Sequence, residues 1–227
     1  MPKKRIEKII EQAESRLEIL KELGIDEIPR ESIDPVFRRK QDALEKLRKE
    51  VRGCNKCELA KTRTCVVFGE GDLNAEVMFV GEAPGAEEDL SGRPFVGAAG
   101  KLLTDIIERG MKIPRKKVFI GNVVKCRPPM NRDPSPEEVK ECKGFVERQI
   151  KIIQPRVLIA LGKFAAQLLT GSEEPISRIR GKWWEYNGIP VMPTYHPAYL
   201  LYNNAGKREV WSDIKQVLNY LAKEKTG

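Results

Sequence analysis

Apolar residues recur with two different spacings along this chain. In the first 51 residues they stand three and four positions apart, which is typical of amphipathic helices. We predict a first helix that ends near Gly24, with apolar positions at Ile6, Ile9, Ile10, Ala13, Leu17, Leu20 and Leu23. A second helix is predicted over Ala43, Leu44, Leu47 and Val51. This N-terminal part carries no recognisable chemistry, and we interpret it as a helical hairpin that packs on the main domain or on a second copy.

From Val77 onward, short β-branched runs alternate with longer helical patterns. The short runs predict four strands, at residues 77–81, 118–124, 157–162 and in the apolar segment before His196. The helical patterns cover residues 102–109, 135–153, 164–170 and 212–223. Ser135 is expected to cap the second of these, with Pro136 at its first position. Strands alternating with helices predict βαβ units, and hence an α/β fold with a parallel sheet covered on both faces.

Polar or glycine-rich residues stand where the predicted strands end. Glu82 and Gly85 follow the first strand, Asn122 interrupts the second, and His196, the only histidine, follows the fourth. In open α/β sheets, ligands bind outside the carboxyl ends of the strands. The sequence therefore predicts one pocket at this edge, and His196 is the one imidazole available to it.

Charge and composition narrow the class of protein. The chain has 227 residues, a net charge of +8 and a pI of about 9.2. Residues 1–50 hold 13 basic and 12 acidic side chains, so most of the excess belongs to the remainder. A basic domain makes polyanions plausible partners. No apolar stretch approaches the length of a membrane helix and the N-terminus is charged, so we expect a cytoplasmic protein without membrane contact.

Five cysteines raise the question of a metal centre, because the cytoplasm keeps thiols reduced and disfavours disulfides. Cys54 and Cys57 have the C-x2-C spacing with which two thiolates grip one centre, and Cys126 and Cys142 follow far downstream. Four thiolates hold either tetrahedral zinc or an iron–sulfur cluster, and their spacing does not choose between them. Cys65 is left over and is interpreted as a small buried residue.

The acidic segment after the first strand argues against phosphate binding. Residues 81–89 carry four carboxylates; Glu87 and Asp89 are expected to be solvated. A phosphate loop at Gly100-Lys101 is excluded because Phe95 stands where a glycine is required and Leu102 replaces Ser or Thr. Phe95 lies between glycines, where an aromatic ring is placed either to fill the core or to stack on a planar ligand. A buried Asn122 amide would offer a donor and an acceptor to a nucleobase edge.

With these motifs together, the chain resembles the family 4, or iron–sulfur, uracil-DNA glycosylases. The resemblance spans about residues 43–222, so we expect a glycosylase domain over 43–227 and a helical extension over 1–42. The matching segments are Gly81-Glu82-Ala83-Pro84-Gly85 with Glu88-Asp89, Gly92-Arg93-Pro94-Phe95-Val96-Gly97, Asn122-Val123-Val124-Lys125-Cys126-Arg127-Pro128-Pro129, Arg180-Gly181-Lys182-Trp183, His196-Pro197-Ala198-Tyr199-Leu200-Leu201, and the four cysteines.

The resemblance implies a three-layer α/β/α sandwich on a four-stranded parallel sheet and a [4Fe–4S] cluster on Cys54, Cys57, Cys126 and Cys142. The substrate would be uracil in double- or single-stranded DNA, extruded from the stack into the pocket, since its glycosidic bond is out of reach inside a duplex. Hydrolysis of that bond would begin repair of deaminated cytosine. A monomer is expected.

The same resemblance assigns roles to individual residues. Phe95 would stack on the base and Asn122 would read its edge, with Gly81 and Gly85 also at the substrate. Glu88 or its loop would exclude thymine. A neutral His196 would stabilise the departing base anion, and Glu82 would stabilise the sugar cation or position water. Leu200 or Leu201 would wedge into the gap left by the base.

Two other readings stay open at this point. The related cross-linking class uses a histidine in an insert between the third and fourth cysteines; here that segment is short and holds no histidine, which disfavours covalent trapping. A non-enzymatic iron–sulfur module, binding DNA or a polymerase, would share the charge and the cysteines. It would not need Glu82, Phe95, Asn122 and His196 at one pocket.

Overall fold

The computed structural model describes residues 34–223, together with Ser15, Glu18 and Lys21. The chain divides into two compact units, 1–35 and 36–227, and the described residues lie almost wholly in the second. The first predicted helix therefore falls almost entirely outside the described residues. Across the described residues, no helix is both long and apolar enough to cross a membrane.

Six strands form one mixed sheet. They are β1 (Glu70–Gly71), β2 (Val77–Gly81), β3 (Phe119–Asn122), β4 (Val157–Leu161), β5 (Trp184–Tyr186) and β6 (Ile189–Thr194), in the order β1-β3-β2-β4-β6-β5. The four central strands are parallel, as predicted. The expected count of four was too low, because an antiparallel strand closes each edge.

The α-helices of the described residues precede, separate and follow these strands. They are α1 (Pro35–Arg52), α2 (Leu59–Thr62), α3 (Ala86–Ser91), α4 (Ala98–Asp105), α5 (Pro136–Ile153), α6 (Lys163–Thr170), α7 (Ile176–Ile179), α8 (Pro197–Tyr202) and α9 (Ala205–Lys223). The predicted start of α5 is confirmed. The Ser135 side chain accepts from the Glu138 amide at 3.2 Å, the Glu138 carboxylate accepts from the Ser135 amide, and Pro136 opens the helix.

The sheet buries both faces, which makes the fold a three-layer α/β/α sandwich. Along β2, Met78 and Val80 join one apolar cluster, whereas Val77 and Phe79 join the other. Helices α1, α5 and α6 supply the first cluster, and α4, α8 and α9 supply the second. Because alternate residues of a strand point to opposite faces, a strand buried on both sides is apolar throughout, as β2 and β4 are.

Helix α1 begins earlier than its apolar pattern suggested. It starts at Pro35, and the predicted boundary between residues 42 and 43 lies within it. The Lys40 ammonium donates to the carbonyl of Ile153 at 2.9 Å, at the end of α5. A cation is favourable there because the last carbonyls of a helix lack intrahelical partners. Residues before 43 thus already belong to the described compact unit.

Candidate active site

One pocket of about 400 Å³ opens at the carboxyl ends of the parallel strands. The residues predicted to work together line it: Glu82, Gly85, Glu88, Phe95, Asn122 and His196. Glu82 follows β2, Asn122 ends β3, and His196 follows β6. The volume lies in the range usual for small-molecule sites, and the position agrees with the general rule for open α/β sheets.

Gly81 lets two of these side chains approach the end of β2. A Cβ on Gly81 would lie 2.4 Å from Oδ1 of Asn122 and 2.6 Å from Cζ of Phe95. Gly81 and Asn122 are direct partners in the β2–β3 register, so the collision cannot be avoided by a small rotation. The glycine does not itself line the pocket wall; it makes room for the ring and the amide that do.

Phe95 is held in an unusual backbone conformation. Its φ is 51°, in the left-handed region that favours glycine, and its side chain is buried. A Cβ on Gly100 would lie 2.0 Å from the Phe95 carbonyl, so α4 packs directly against this turn. The Arg115 guanidinium donates to the Pro94 carbonyl at 2.7 Å. The Phe95 ring is therefore held in place on one wall of the pocket. Its centroid lies 5.6 Å from the centroid of the His196 imidazole.

Glu88 braces the same turn from the acidic loop. Its Oε1 accepts from the amides of Val96 at 2.8 Å and Gly97 at 2.9 Å. A carboxylate with two backbone donors is a rigid part of the wall. Asp89, expected to be solvated, is buried instead, because it accepts from the amides of Thr64 and Cys65 at 3.0 and 3.2 Å. Glu87 is exposed, as expected.

His196 is the N-cap residue of α8. Its Nδ1 accepts from the Ala198 amide at 3.2 Å, which leaves Nε2 to carry the proton of a neutral ring. Burial lowers the pKa of His196 to about 4, although the Glu88 charge opposes this. A Cβ on Gly162 would lie 3.0 Å from the His196 Cβ, so the end of β4 also makes room for this residue. At neutral pH the imidazole is an uncharged donor facing the pocket.

Glu82 differs from an ordinary surface carboxylate. Burial and, to a smaller extent, the Asp133 charge together raise the pKa of Glu82 to about 7, although the Lys163 ammonium acts in the opposite direction. A carboxyl whose pKa lies near neutrality is suited to proton transfer.

Asn122 connects the pocket to a buried polar chain. Its side chain is 1% exposed, and its Oδ1 has no hydrogen-bond partner within the described protein. Its backbone carbonyl accepts from Nζ of Lys125 at 2.7 Å, and that ammonium also donates to Gln149 Oε1 at 2.6 Å. Burial lowers the pKa of Lys125 to about 8. A buried acceptor without a partner is costly, so its presence in a pocket wall points to a ligand donor.

Four of the five cysteines line a second, much smaller cavity between α1, α2, α5 and the segment that follows β3: Cys54, Cys57, Cys126 and Cys142. Arg63 donates to Sγ of Cys126 at 3.2 Å, and the Lys125 amide donates to Sγ of Cys142 at 3.2 Å. Burial raises the pKa of the Cys142 thiol to about 12. Nevertheless, among the described residues no group of three or more His, Cys, Asp or Glu side chains is placed to hold a metal ion.

Cys65 does not line the cysteine cavity, and it is half-buried rather than buried. The donor set of this cavity is therefore four thiols with N–H groups directed at two of the sulfurs. Such N–H···S bonds are typical of the surroundings of metal-bound thiolates.

The comparisons with known proteins agree with this geometry. The family model described as the uracil DNA glycosylase superfamily matches residues 68–215, more than half of the chain. A type-4 uracil-DNA glycosylase from Sulfurisphaera tokodaii is 47% identical over 184 residues, which cover 78% of this chain and 84% of the relative. One from Archaeoglobus fulgidus is 45% identical over 184 residues, covering 78% of this chain and 92% of the relative. The chain belongs to the type-4 uracil-DNA glycosylase family.

A weaker similarity is relevant to the alternative of a non-enzymatic module that binds DNA or a polymerase. A DNA polymerase of Bacillus phage SP01 is 33% identical over 134 residues, but these cover only 14% of that protein. The type-4 uracil-DNA glycosylases, in contrast, match over most of their own length.

Within this type-4 uracil-DNA glycosylase, the two leucines predicted as wedge residues occupy different environments. Leu200 is 1% exposed and packs in the core against α9, so it is not available for insertion into DNA. Leu201 is 43% exposed on α8 and is the one of the pair that faces outward.

Several pocket residues of this family member were missed by sequence reasoning: Ala99, Pro128, Asn131, Arg132 and Tyr199. Asp133 and Lys163, which act on the charge of Glu82, were missed as well. Pro128 and Tyr199 lie within recognised motifs but were given no role there, whereas the others lie outside those motifs and only the fold brings them to the pocket. The Pro-rich run after Cys126 was the one available signal, since rigid turns at strand ends often border sites.

The Arg180-Gly181 segment has a structural role, because it packs against Asp213 of α9. The Arg180 guanidinium pairs with the buried Asp213 carboxylate, which also accepts from Thr194 Oγ1 at 2.6 Å. Gly181 has a φ of 70°, and a Cβ there would lie 2.7 Å from Asp213 Oδ1. This network ties α9 to the end of β6, two residues before His196.

Proposed function

We propose that this protein extrudes uracil from DNA and hydrolyses its N-glycosidic bond, leaving an abasic site. The single observation that carries the proposal is the buried Oδ1 of Asn122, which lacks a partner in the wall of a pocket that also holds Phe95 and His196. Chemistry on a base requires its removal from the stack, and an enclosed pocket with one aromatic wall suits an extruded base.

Base recognition follows from the Asn122 amide. Its Oδ1 accepts from N3–H of uracil and its Nδ2 donates to O4. Cytosine has the opposite donor and acceptor order at these two positions, so it would leave the buried amide unpaired. A site whose buried polar groups lose their partners discriminates strongly. The Phe95 ring supplies the stacking surface.

Thymine is excluded sterically. Its additional C5 methyl group would meet the wall formed by the acidic loop, where Glu88 is fixed by the Val96 and Gly97 amides. A Cβ on Gly85 would lie 2.8 Å from Glu88 Oε2, which supports close packing of this loop. Because two backbone amides hold Glu88 Oε1, this part of the wall has little room to retreat.

Bond cleavage develops negative charge on the base and positive charge on the sugar. His196 donates through Nε2 to O2 of the departing uracil. The lowered pKa of His196, about 4, supports a neutral donor, which stabilises the anion without transferring a full charge into the site.

Glu82 acts on the other side of the bond. In its ionised form it faces the cation-like sugar and accepts a proton from the attacking water. The raised pKa of Glu82, about 7, supports this proton transfer, since an acid and its conjugate base are both accessible near neutral pH.

The four-cysteine cavity is suited to a [4Fe–4S] cluster held by Cys54, Cys57, Cys126 and Cys142. Four thiols that line one cavity, with N–H groups directed at two of the sulfurs, support this assignment. When bound, the cluster supplies structural cross-linking. The Asn122–Lys125 turn lies between the cavity and the pocket, so the cysteines also fix the segment that reads the base.

DNA is the expected partner. The positive net charge supports binding to phosphates, and the exposure of Leu201 on α8 supports its entry into the gap left by the base.

The test is incubation with oligonucleotides that differ only in one base: uracil, thymine or cytosine. We expect alkali-labile sites in the uracil strand alone. Binding to uracil-containing DNA without any abasic site would favour the non-enzymatic module instead. Cleavage of the thymine strand at a similar rate would contradict the assigned role of the acidic loop.

A further inference from the structure

Met130 is a long apolar side chain that is 92% exposed beside the mouth of the pocket. It lies in the short turn Pro129–Asn131 that follows β3. Its neighbours Pro128, Asn131 and Arg132 line the pocket. A side chain with this exposure adds almost nothing to the core, so the fold does not account for a methionine here.

The backbone at this position is unfavourable for methionine. Met130 has φ 55° and ψ 21°, and the next residue, Asn131, has φ 54°. Within residues 34–223, no other pair of consecutive non-glycine residues lies in the left-handed region. Glycine adopts this conformation without steric cost, whereas a residue with a Cβ adopts it only at a steric cost. Backbone strain of this kind is found preferentially at functional sites.

The turn is rigidly supported. Arg127 Nε donates to Asn131 Oδ1 at 2.8 Å, and the Asn131 amide donates to the Pro128 carbonyl at 3.0 Å. The Arg132 guanidinium donates to both oxygens of Glu138, at 2.9 and 2.7 Å. The side chain of Met130 is therefore presented at a fixed place on the rim rather than on a loose loop.

Exposed apolar side chains stand on both sides of the mouth. The Met130 turn follows β3, whereas α8, with Tyr199 and Leu201 each more than 40% exposed, follows β6. Strands β3 and β6 flank β2 and β4 in the sheet, so these two rims face each other across the pocket.

We propose that Met130 inserts into the base stack of duplex DNA beside the extruded nucleotide, from the rim opposite Leu201. The inference rests on the proposed function and deepens it. Apolar wedges, methionine among them, enter between base steps and unstack them. The flexible thioether chain adapts to the apolar faces of different bases. Because only a duplex must be unstacked and unpaired, Met130 assists extrusion from paired DNA and contributes little on a single strand.

The test compares single-turnover excision of uracil from a U·A duplex and from the same strand alone. Met130→Gly and Met130→Gln should slow excision from the duplex about tenfold, the change produced by about 1.4 kcal/mol, and leave single-strand excision unchanged. Met130→Leu, which keeps an apolar chain, should remain within about twofold of wild type on both substrates. Met130→Gly should melt no lower than wild type, because it relieves the left-handed residue.

Lys112→Gly is the matched control. Lys112 is exposed with φ 60°, but it lies beside Val77 and Val118 at the amino ends of the strands, away from the pocket. Like Met130→Gly, Lys112→Gly should melt no lower than wild type, but it should leave duplex excision unchanged. The proposed insertion of Met130 would be contradicted if Met130→Gly and Met130→Gln both excised uracil from the duplex at the wild-type rate. It would also be contradicted if these variants were slowed equally on the duplex and on the single strand. If the wild-type protein itself excises uracil from neither substrate, the proposed function fails rather than this inference.

Discussion

Gly81 and Asn122 are direct neighbours across β2 and β3, and a Cβ on Gly81 would lie 2.4 Å from the Asn122 Oδ1. Gly81→Ala should therefore displace the amide and, with it, the Phe95 ring. A displacement of about 1 Å in a site of this kind costs on the order of 100-fold in rate. We expect that loss in single-turnover uracil excision, with the cysteine cavity and the fold retained.

Gly144→Ala is the control for this substitution. Gly144 lies in α5, and a Cβ there meets nothing within 4 Å. Alanine should stabilise the helix by about 0.5–1 kcal/mol and leave excision unchanged. An active Gly81→Ala variant would show that the pocket adapts more freely than its packing indicates.

The pH dependence of kcat/KM should be governed by Glu82. Its pKa is raised to about 7, and the ionised form is the active one, so activity should rise as pH increases through 7 and level off above it. His196, with a pKa of about 4, stays neutral throughout this range, so it adds no second inflection to the pH profile of kcat/KM. Glu82→Gln should lower the rate and flatten the profile. Activity that falls as pH rises through 7 would identify the protonated carboxyl as the active form.

Much of this site followed from the sequence, because the motif residues stand directly at strand ends. To predict that a residue lies at the carboxyl end of a parallel strand, one needs to know only where the strand is and in which direction it runs. The apolar runs of β2, β3 and β4 supplied both. The prediction of a neutral His196 needed a family resemblance; the structure adds the Nδ1 bond to Ala198 that leaves the proton on Nε2.

The edges of the sheet were harder to predict. Strand β5 has only three residues, with Glu185 in the middle, so its sequence contains no apolar run. None of the three residues is buried. Its signal was the Asn187-Gly188 pair, whose φ values of 50° and 81° form the tight turn into β6. The Leu200 assignment failed for another reason. Adjacent helical residues point about 100° apart, so Leu200 and Leu201 cannot both face DNA, and only packing decides between them.

The four-cysteine cavity predicts protein that is brown as purified and contains iron and sulfide. Cys142→Ala should abolish the visible absorption and the bound iron, because one of four thiolates is lost. Cys65→Ala removes a half-buried cysteine outside the cavity and should change neither. Colourless protein with stoichiometric zinc from anaerobic expression would contradict the cluster, as would iron loss in the Cys65 variant alone.

Two truncations should behave differently. Deletion of residues 1–34 should leave the excision rate unchanged, because the proposed catalytic residues all follow Val36. Deletion of residues 1–42 also removes the first turns of α1 and the bond from Lys40 to the Ile153 carbonyl. It should lower the unfolding free energy by on the order of 2 kcal/mol. Thermal melting of the two proteins checks this, and equal melting temperatures would show that the start of α1 is dispensable.

The most direct test of the mechanism is the single-turnover excision rate of His196→Ala, measured beside its DNA affinity. If a neutral His196 donates to the departing base, the rate should fall by roughly 10²–10³. DNA affinity should barely change, because phosphate contacts from Lys and Arg supply most of it. A wild-type rate combined with weakened DNA binding would contradict the account and make His196 a DNA contact rather than the leaving-group donor.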